Sequence, residues 1–229
     1  MTVSLLVLVL LMAALVTWLV RQSFAGLPWV AGAVAGPALP RRCTATRLGL
    51  GAFIAVATSI FSLTISAYVM RMAVSPEWEL LPQPALAWIN TGWLVLGSIA
   101  LQLAWNAARA GKPARLRPAL AAGAACTLAF FIGQYLLWRE LASAGYALAS
   151  HPAAAFFVLM SALHALHLAG GLWVLWRTLR RAWRGEPMAR LRETVALCAV
   201  YWHYLLLVWG VLFTVLFVGA GPLYELCRV

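Results

Sequence analysis

Aspartate does not occur in this sequence, and glutamate occurs only at Glu77, Glu79, Glu140, Glu186, Glu193 and Glu225. None of these acids falls in the middle of a long apolar run. A proton pump or ion-coupled transporter needs ionisable groups along a buried path, so the chain is a poor pump or transporter by itself. Cysteine is scattered, at Cys43, Cys126, Cys198 and Cys227, with no C-x-x-C and no C-x-x-C-H. This spacing supports neither a disulfide scaffold, nor a zinc ribbon, nor a covalently attached c-type haem. H-E-x-x-H, G-x-S-x-G and a phosphate-binding loop are also missing. Charged residues make up 10% of the 229 residues and hydrophobic ones 64%, whereas a soluble domain carries roughly a quarter charged residues. With a mean hydropathy of +0.89, the composition is that of an integral membrane protein. The pI of about 10.6 is then no sign of nucleic-acid binding, because excess arginine in a membrane protein marks its cytoplasmic loops.

A bilayer core is spanned by about 20 apolar residues. Six such runs are present: Val3–Val20, Leu48–Met70, Leu86–Ala108, Ala119–Trp138, Ala153–Trp176 and Thr194–Val218. Pro113, Pro118, Pro152 and Pro187 are read as lying in the breaks. Four Lys and Arg residues fall in the first loop, four in the third and six in the fifth, leaving one each to the second loop, the fourth loop and the tail. The positive-inside rule puts the odd loops in the cytoplasm and both termini in the periplasm. The expected fold is therefore all-α, a polytopic bundle of six transmembrane helices. MTVS carries no positive n-region and no small-residue cleavage site closely follows Arg21, so the first run reads as a retained helix rather than a signal peptide. Residues 1–46 then form an N-terminal helix with a Gly-, Ala- and Pro-rich cytoplasmic linker, and residues 47–229 a five-helix membrane domain.

SALHALHLAGG (161–171) sets His164 and His167 three residues apart, nearly on one helix face. Counting depth along the runs puts His203 of the last run level with His164. One reading makes His203, with His164 or His167, the ligands of a haem iron, as in a membrane b-type cytochrome. The other makes these histidines hydrogen-bonding and packing groups between helices; the small Ser161, Ala165, Gly170 and Gly171 around them suit close packing better than a haem slot. Asn90, Thr91, Ser98, Gln102, Asn106 and Gln134 read as further interhelical hydrogen-bonding groups. Arg177, Arg180, Arg181 and Arg184 serve topology or grip phospholipid phosphates, beside Trp173, Trp176 and Trp183 at interfacial positions.

FFVLMSALHALHLAGG (156–171) and VYWHYLLLVWGVLF (200–213) together resemble subunit III of the haem–copper terminal oxidases, cytochrome c oxidase among them. That family shows a phenylalanine pair, H-x-x-H and a glycine at the first place, and Y-W-H, a gap and V-W at the second. Here these are His164, His167 and Gly171, then Tyr201, Trp202, His203, Val208 and Trp209. LAWINTGWLVLGS (86–98) and FFIGQYLLWREL (130–141) extend the resemblance, which covers about Arg47 to Gly219 and leaves the first run without a counterpart. It implies an accessory subunit of the bacterial inner membrane, with no catalytic residue, metal or haem of its own. Haem and copper would sit in partner subunits: the catalytic subunit I and, in the same complex, subunit II. The resemblance further implies bound phospholipid, with Arg181 and Arg184 set against lipid phosphate, and structural roles for His164 and His167. An accessory subunit of a nitric-oxide reductase would read the same way, since the discriminating ligands lie in the partner. One departure is visible: FIAVATSIF (53–61) puts Ala57 where the family often has a buried glutamate.

Overall fold

The computed structural model describes residues 45–75, 78, 81–82, 84–146 and 151–218. The first expected helix, its linker and both termini lie outside these residues. Among the described residues there are five helices long and apolar enough to cross a membrane, and no strand. They are α1 (Ala45–Val74), α2 (Ala85–Arg109), α3 (Pro113–Ser143), α4 (Pro152–Trp183) and α5 (Met188–Phe213), the last ending in a wider π-helical turn, Thr214–Val218. The chain divides into two compact units, Met1–Ile60 and Phe61–Val229, with the boundary inside α1. In the first unit, residues 45–60 are helical, and Thr58 and Ser59 return their hydroxyls to the carbonyls of Ile54 and Ala55. The second unit holds the remaining helices.

Each helix outruns its apolar stretch. Of the cations expected in the third and fifth loops, only Lys112 and Arg184 stand between helices; the others ride on helix ends. Their long aliphatic stems cover apolar surface while the charge reaches outward, so a charged turn does not end a helix. Proline behaves likewise. Pro113 and Pro152 occupy the first helical position, where the missing N–H is an orphan in any case. Pro118 lies inside α3 rather than in a break; so close to the helix start it forfeits only one backbone bond.

Glycine supplies the stops. After α2, Gly111 takes φ +68°, its N–H donates to the Ala108 carbonyl, and the Lys112 N–H reaches back to Ala107 at 3.0 Å. These two hydrogen bonds satisfy two carbonyls that the helix end leaves open. The same pattern recurs at Gly145 after α3 and Gly185 after α4.

Within the second unit, α2 packs on α3 and α5, and α4 packs on both of them, giving a ring of four antiparallel helices. Its interior is filled by Leu101, Leu120, Phe130, Phe157, Met160, Leu168, Trp202 and Trp209, all buried. The two indoles carry N–H groups into a medium without water, and each finds a hydroxyl. Trp202 Nε1 donates to Thr127 at 3.2 Å and Trp209 Nε1 to Thr91 at 3.0 Å. Beside the ring, Tyr68 of α1 meets Phe156 edge-on.

α4 and α5 pack closely at Gly171. A Cβ there would lie 2.7 Å from Tyr201 Cε1 and 3.0 Å from Trp202, both in a packed core. Gly171→Val is therefore expected to destabilise the bundle by about 1–3 kcal/mol. Gly170→Ala, where a Cβ meets nothing within 4 Å, should be neutral or stabilising. Thermal unfolding of the two variants in the same detergent checks the contrast.

Candidate functional site

Many polar groups of the spans pair across the interior, and others form a row on a seam. Asn90 of α2 and Gln134 of α3 are both buried. Their side-chain amides meet at 3.0 Å, one donating and the other accepting. Gly133 makes room, since any Cβ there would run into the Asn90 amide. Nearby, Trp138 Nε1 donates to Ser161 Oγ at 3.0 Å, and that hydroxyl donates to the Phe157 carbonyl at 2.6 Å. These bonds tie α2 to α3 and α3 to α4 at points where hydrocarbon offers no alternative partner.

The three intramembrane histidines occupy three different settings. His164 has 0% exposure and sits among the rings of Phe61, Phe130 and Trp209, with centroids 6.3, 5.9 and 5.2 Å away. Neither of its ring nitrogens has a hydrogen-bond partner among the described residues, so it serves there as an aromatic packing element. His167 is partly buried; its Nδ1 donates to the Leu163 carbonyl of its own helix at 2.8 Å, and its backbone carbonyl accepts from Tyr201 Oη at 3.0 Å. His203 belongs to the α2–α5 seam. Its Nδ1 pairs with Ser98 Oγ and its Nε2 lies 3.0 Å from Gln102 Oε1.

The expected equal depth of His164 and His203 does not hold. His164 faces Trp209, and Gly171 faces Tyr201 and Trp202. In this antiparallel register His203 is displaced by six residues from the level of His164, on the order of 9 Å. The depth count was misled by the helix ends: α5 begins at Met188, not at Thr194, and α4 continues to Trp183. The structure brings His164 and His167 together beside Phe61 and places His203 apart from them.

At the arginine-rich ends of α2 to α5, Arg181 is held by Glu186 at 2.8 Å. The hydrogen bond from Arg181 holds the Glu186 carboxyl below the usual glutamate range. Arg184, at the end of α4, is exposed. Arg180 lies over the Trp176 ring at 5.0 Å. Arg117 and Arg192, counted in the sequence only among the cations of the third and fifth loops, both bridge helices. Arg117 Nε donates to the Ala182 carbonyl and Arg192 Nε to the Ala108 carbonyl, each at 3.1 Å. A cation on the carbonyl end of a neighbouring helix offsets its partial negative charge. Arginine one turn into a helix, opposite an Ala-rich helix end, is the only sequence signal for this.

No protein-family model matches the chain. Among curated proteins it is 27% identical over 180 residues to cytochrome c oxidase subunit 3 of Thermostichus vulcanus, covering 75% of this chain and 86% of that one. It is 25% identical over 177 residues to cytochrome c oxidase subunit 3 of Synechocystis sp., covering 74% and 73%. It is also 29% identical over 124 residues to the probable cytochrome c oxidase subunit 3 of Mycobacterium tuberculosis, covering 54% of this chain and 61% of that one. Curated relatives from cyanobacteria and mycobacteria thus carry the name to which the four stretches point.

The Asn90–Gln134 pair allows a direct test of buried polar satisfaction. Asn90→Leu strands the Gln134 amide in hydrocarbon and is expected to lower stability by about 1–3 kcal/mol. The double variant Asn90→Leu with Gln134→Leu should recover most of this loss. Unfolding in denaturant of the single and double variants measures the difference, and equal destabilisation by both would reject the pairing.

Proposed function

We propose that this chain is subunit III of a respiratory haem–copper oxidase, an accessory membrane subunit of a complex that reduces oxygen to water and translocates protons. The observation that carries the reading is the similarity to cytochrome c oxidase subunit 3 over 75% of the chain. The packing of the two most telling stretches is in keeping with it, since Gly171 after H-x-x-H lies against the tyrosine and tryptophan of Y-W-H. In this reading the chain works in the bacterial inner membrane against subunits I and II, which carry haem and copper. The interior polar groups hold its own helices together, and the arginine-rich end faces the cytoplasm and holds phospholipid.

Arg184 is exposed and available to a lipid phosphate, whereas Arg181 must share with Glu186. A carboxyl held below its ordinary value keeps its ion pair fully formed above the usual glutamate range and loses it as pH falls through the lowered value. Acid, or Glu186→Gln at neutral pH, therefore releases Arg181 for a second phosphate contact.

Two measurements test the proposal. In a mild-detergent pulldown of the tagged chain, haem absorbance is expected to accompany a large co-purifying subunit and to leave with it when partners are stripped. A Soret band that stays with the isolated 24.9 kDa chain would overturn the accessory reading. For lipid, replacing Arg181 and Arg184 together by Gln should reduce co-purified phospholipid, and Glu186→Gln should raise it. Unchanged lipid in the double arginine variant would reject that role.

A further inference from the structure

Lipid-facing hydroxyls in these helices are hidden by bonding back to their own backbone: Ser66 to Ser62 and Thr214 to Gly210. The α2–α5 seam breaks this habit. Ser98 Oγ donates to His203 Nδ1, His203 Nε2 donates to Gln102 Oε1, and Gln102 Nε2 donates to Asn106 Oδ1 at 3.3 Å. The row runs one way, donor to acceptor, over about 12 Å of α2. It ends on the Asn106 Nδ2, which is exposed and has no partner among the described residues. His203 and Gln102 are also partly exposed. Unlike the His167 ring, which bonds its own backbone, the His203 ring and the Gln102 amide bond along the row, and hydrocarbon offers them nothing else. Such groups in a span belong against protein. Two turns beyond His203 on α5, Gly210 is exposed with open space where a Cβ would stand, which lets another helix come close.

We propose that this seam is the docking surface for a membrane-spanning helix of a partner subunit, one that presents an amide or carboxylate oxygen to Asn106. The inference rests on the accessory-subunit reading and names the surface through which it operates. The other run available to cover the seam, Val3–Val20 of this chain, fits it poorly: its polar side chains are Ser4, Thr17 and Trp18, with no amide or carboxylate.

The test uses a photo-crosslinking side chain in the full-length chain, assembled in its own membrane. It is placed at Leu103, exposed on α2 between Gln102 and Asn106, and for comparison at Leu166, exposed on α4. The expected result is a Leu103 adduct to a membrane-spanning helix of a co-purifying subunit, identified by peptide sequencing, with a polar residue within one turn of the attachment. Leu166 should give at most a tenth of that yield. Gln102→Leu with Asn106→Leu should cut the adduct roughly three- to tenfold at an unchanged membrane level of the chain. Adducts only to phospholipid, to residues 1–44 or to a second copy would overturn the docking surface, as would equal yields at the two positions. The spectrum of the same preparation separates the two readings. Haem with no Leu103 adduct overturns the seam alone, whereas the expected adduct to a complex without haem leaves the seam standing and overturns the oxidase reading.

Discussion

A polar group inside a bilayer has no water to turn to, and this single constraint arranges the ring of four helices. The Trp202 and Trp209 indoles are usable as core filling only because Thr127 and Thr91 stand opposite their N–H groups. The Asn90 amide is usable only because Gln134 meets it and Gly133 makes room. Apolar packing alone distinguishes helices from lipid weakly, since tails are as apolar as leucine. The paired polar groups and the glycine contacts are what fix which helix lies beside which, and at what height. The α4–α5 register follows from this: Gly171 against Tyr201 and the Tyr201 hydroxyl on the His167 carbonyl set it together.

The five described helices were legible as long apolar runs because lipid imposes length directly on sequence. Their ends were not, because the reading stopped at the first charge. Arginine stems extend a helix beyond its apolar stretch, and the true stops, Gly111, Gly145 and Gly185, carry a weaker signal than the hydropathy edge. That error carried over to the site: a start at Thr194 instead of Met188 put His203 level with His164. Asn90, Gln134 and the three histidines could be picked out as polar groups needing partners, but not their partners, since pairing depends on rotation and register. A lone histidine gives no warning that it stands among Phe61, Phe130 and Trp209 with both nitrogens unpaired, while its neighbour one turn on bonds its own backbone.

The arginines show a second use of one residue type. Counting them gives orientation, which is a statement about insertion. In the folded chain Arg117 and Arg192 also cross between helices to the carbonyl ends of α4 and α2, and Arg181 folds onto Glu186. Charge that orients the chain during insertion thus locks the helix ends afterwards. It also divides the cations at this end: those engaged on carbonyls or glutamate are structural, and exposed ones, Arg184 among them, are left to meet an anion from outside.

The same logic separates the inside of the ring from its surface. Inside, most polar atoms are answered within the chain; His164, whose ring nitrogens have no partner among the described residues, sits as an aromatic plate. On the seam the row ends on the exposed Asn106 amide, whose Nδ2 has no partner among the described residues. Buried pairs such as Asn90–Gln134 hold the interior rigid, while the row from His203 through Gln102 to Asn106 leaves an unmet hydrogen bond on the outer face, where another protein can answer it.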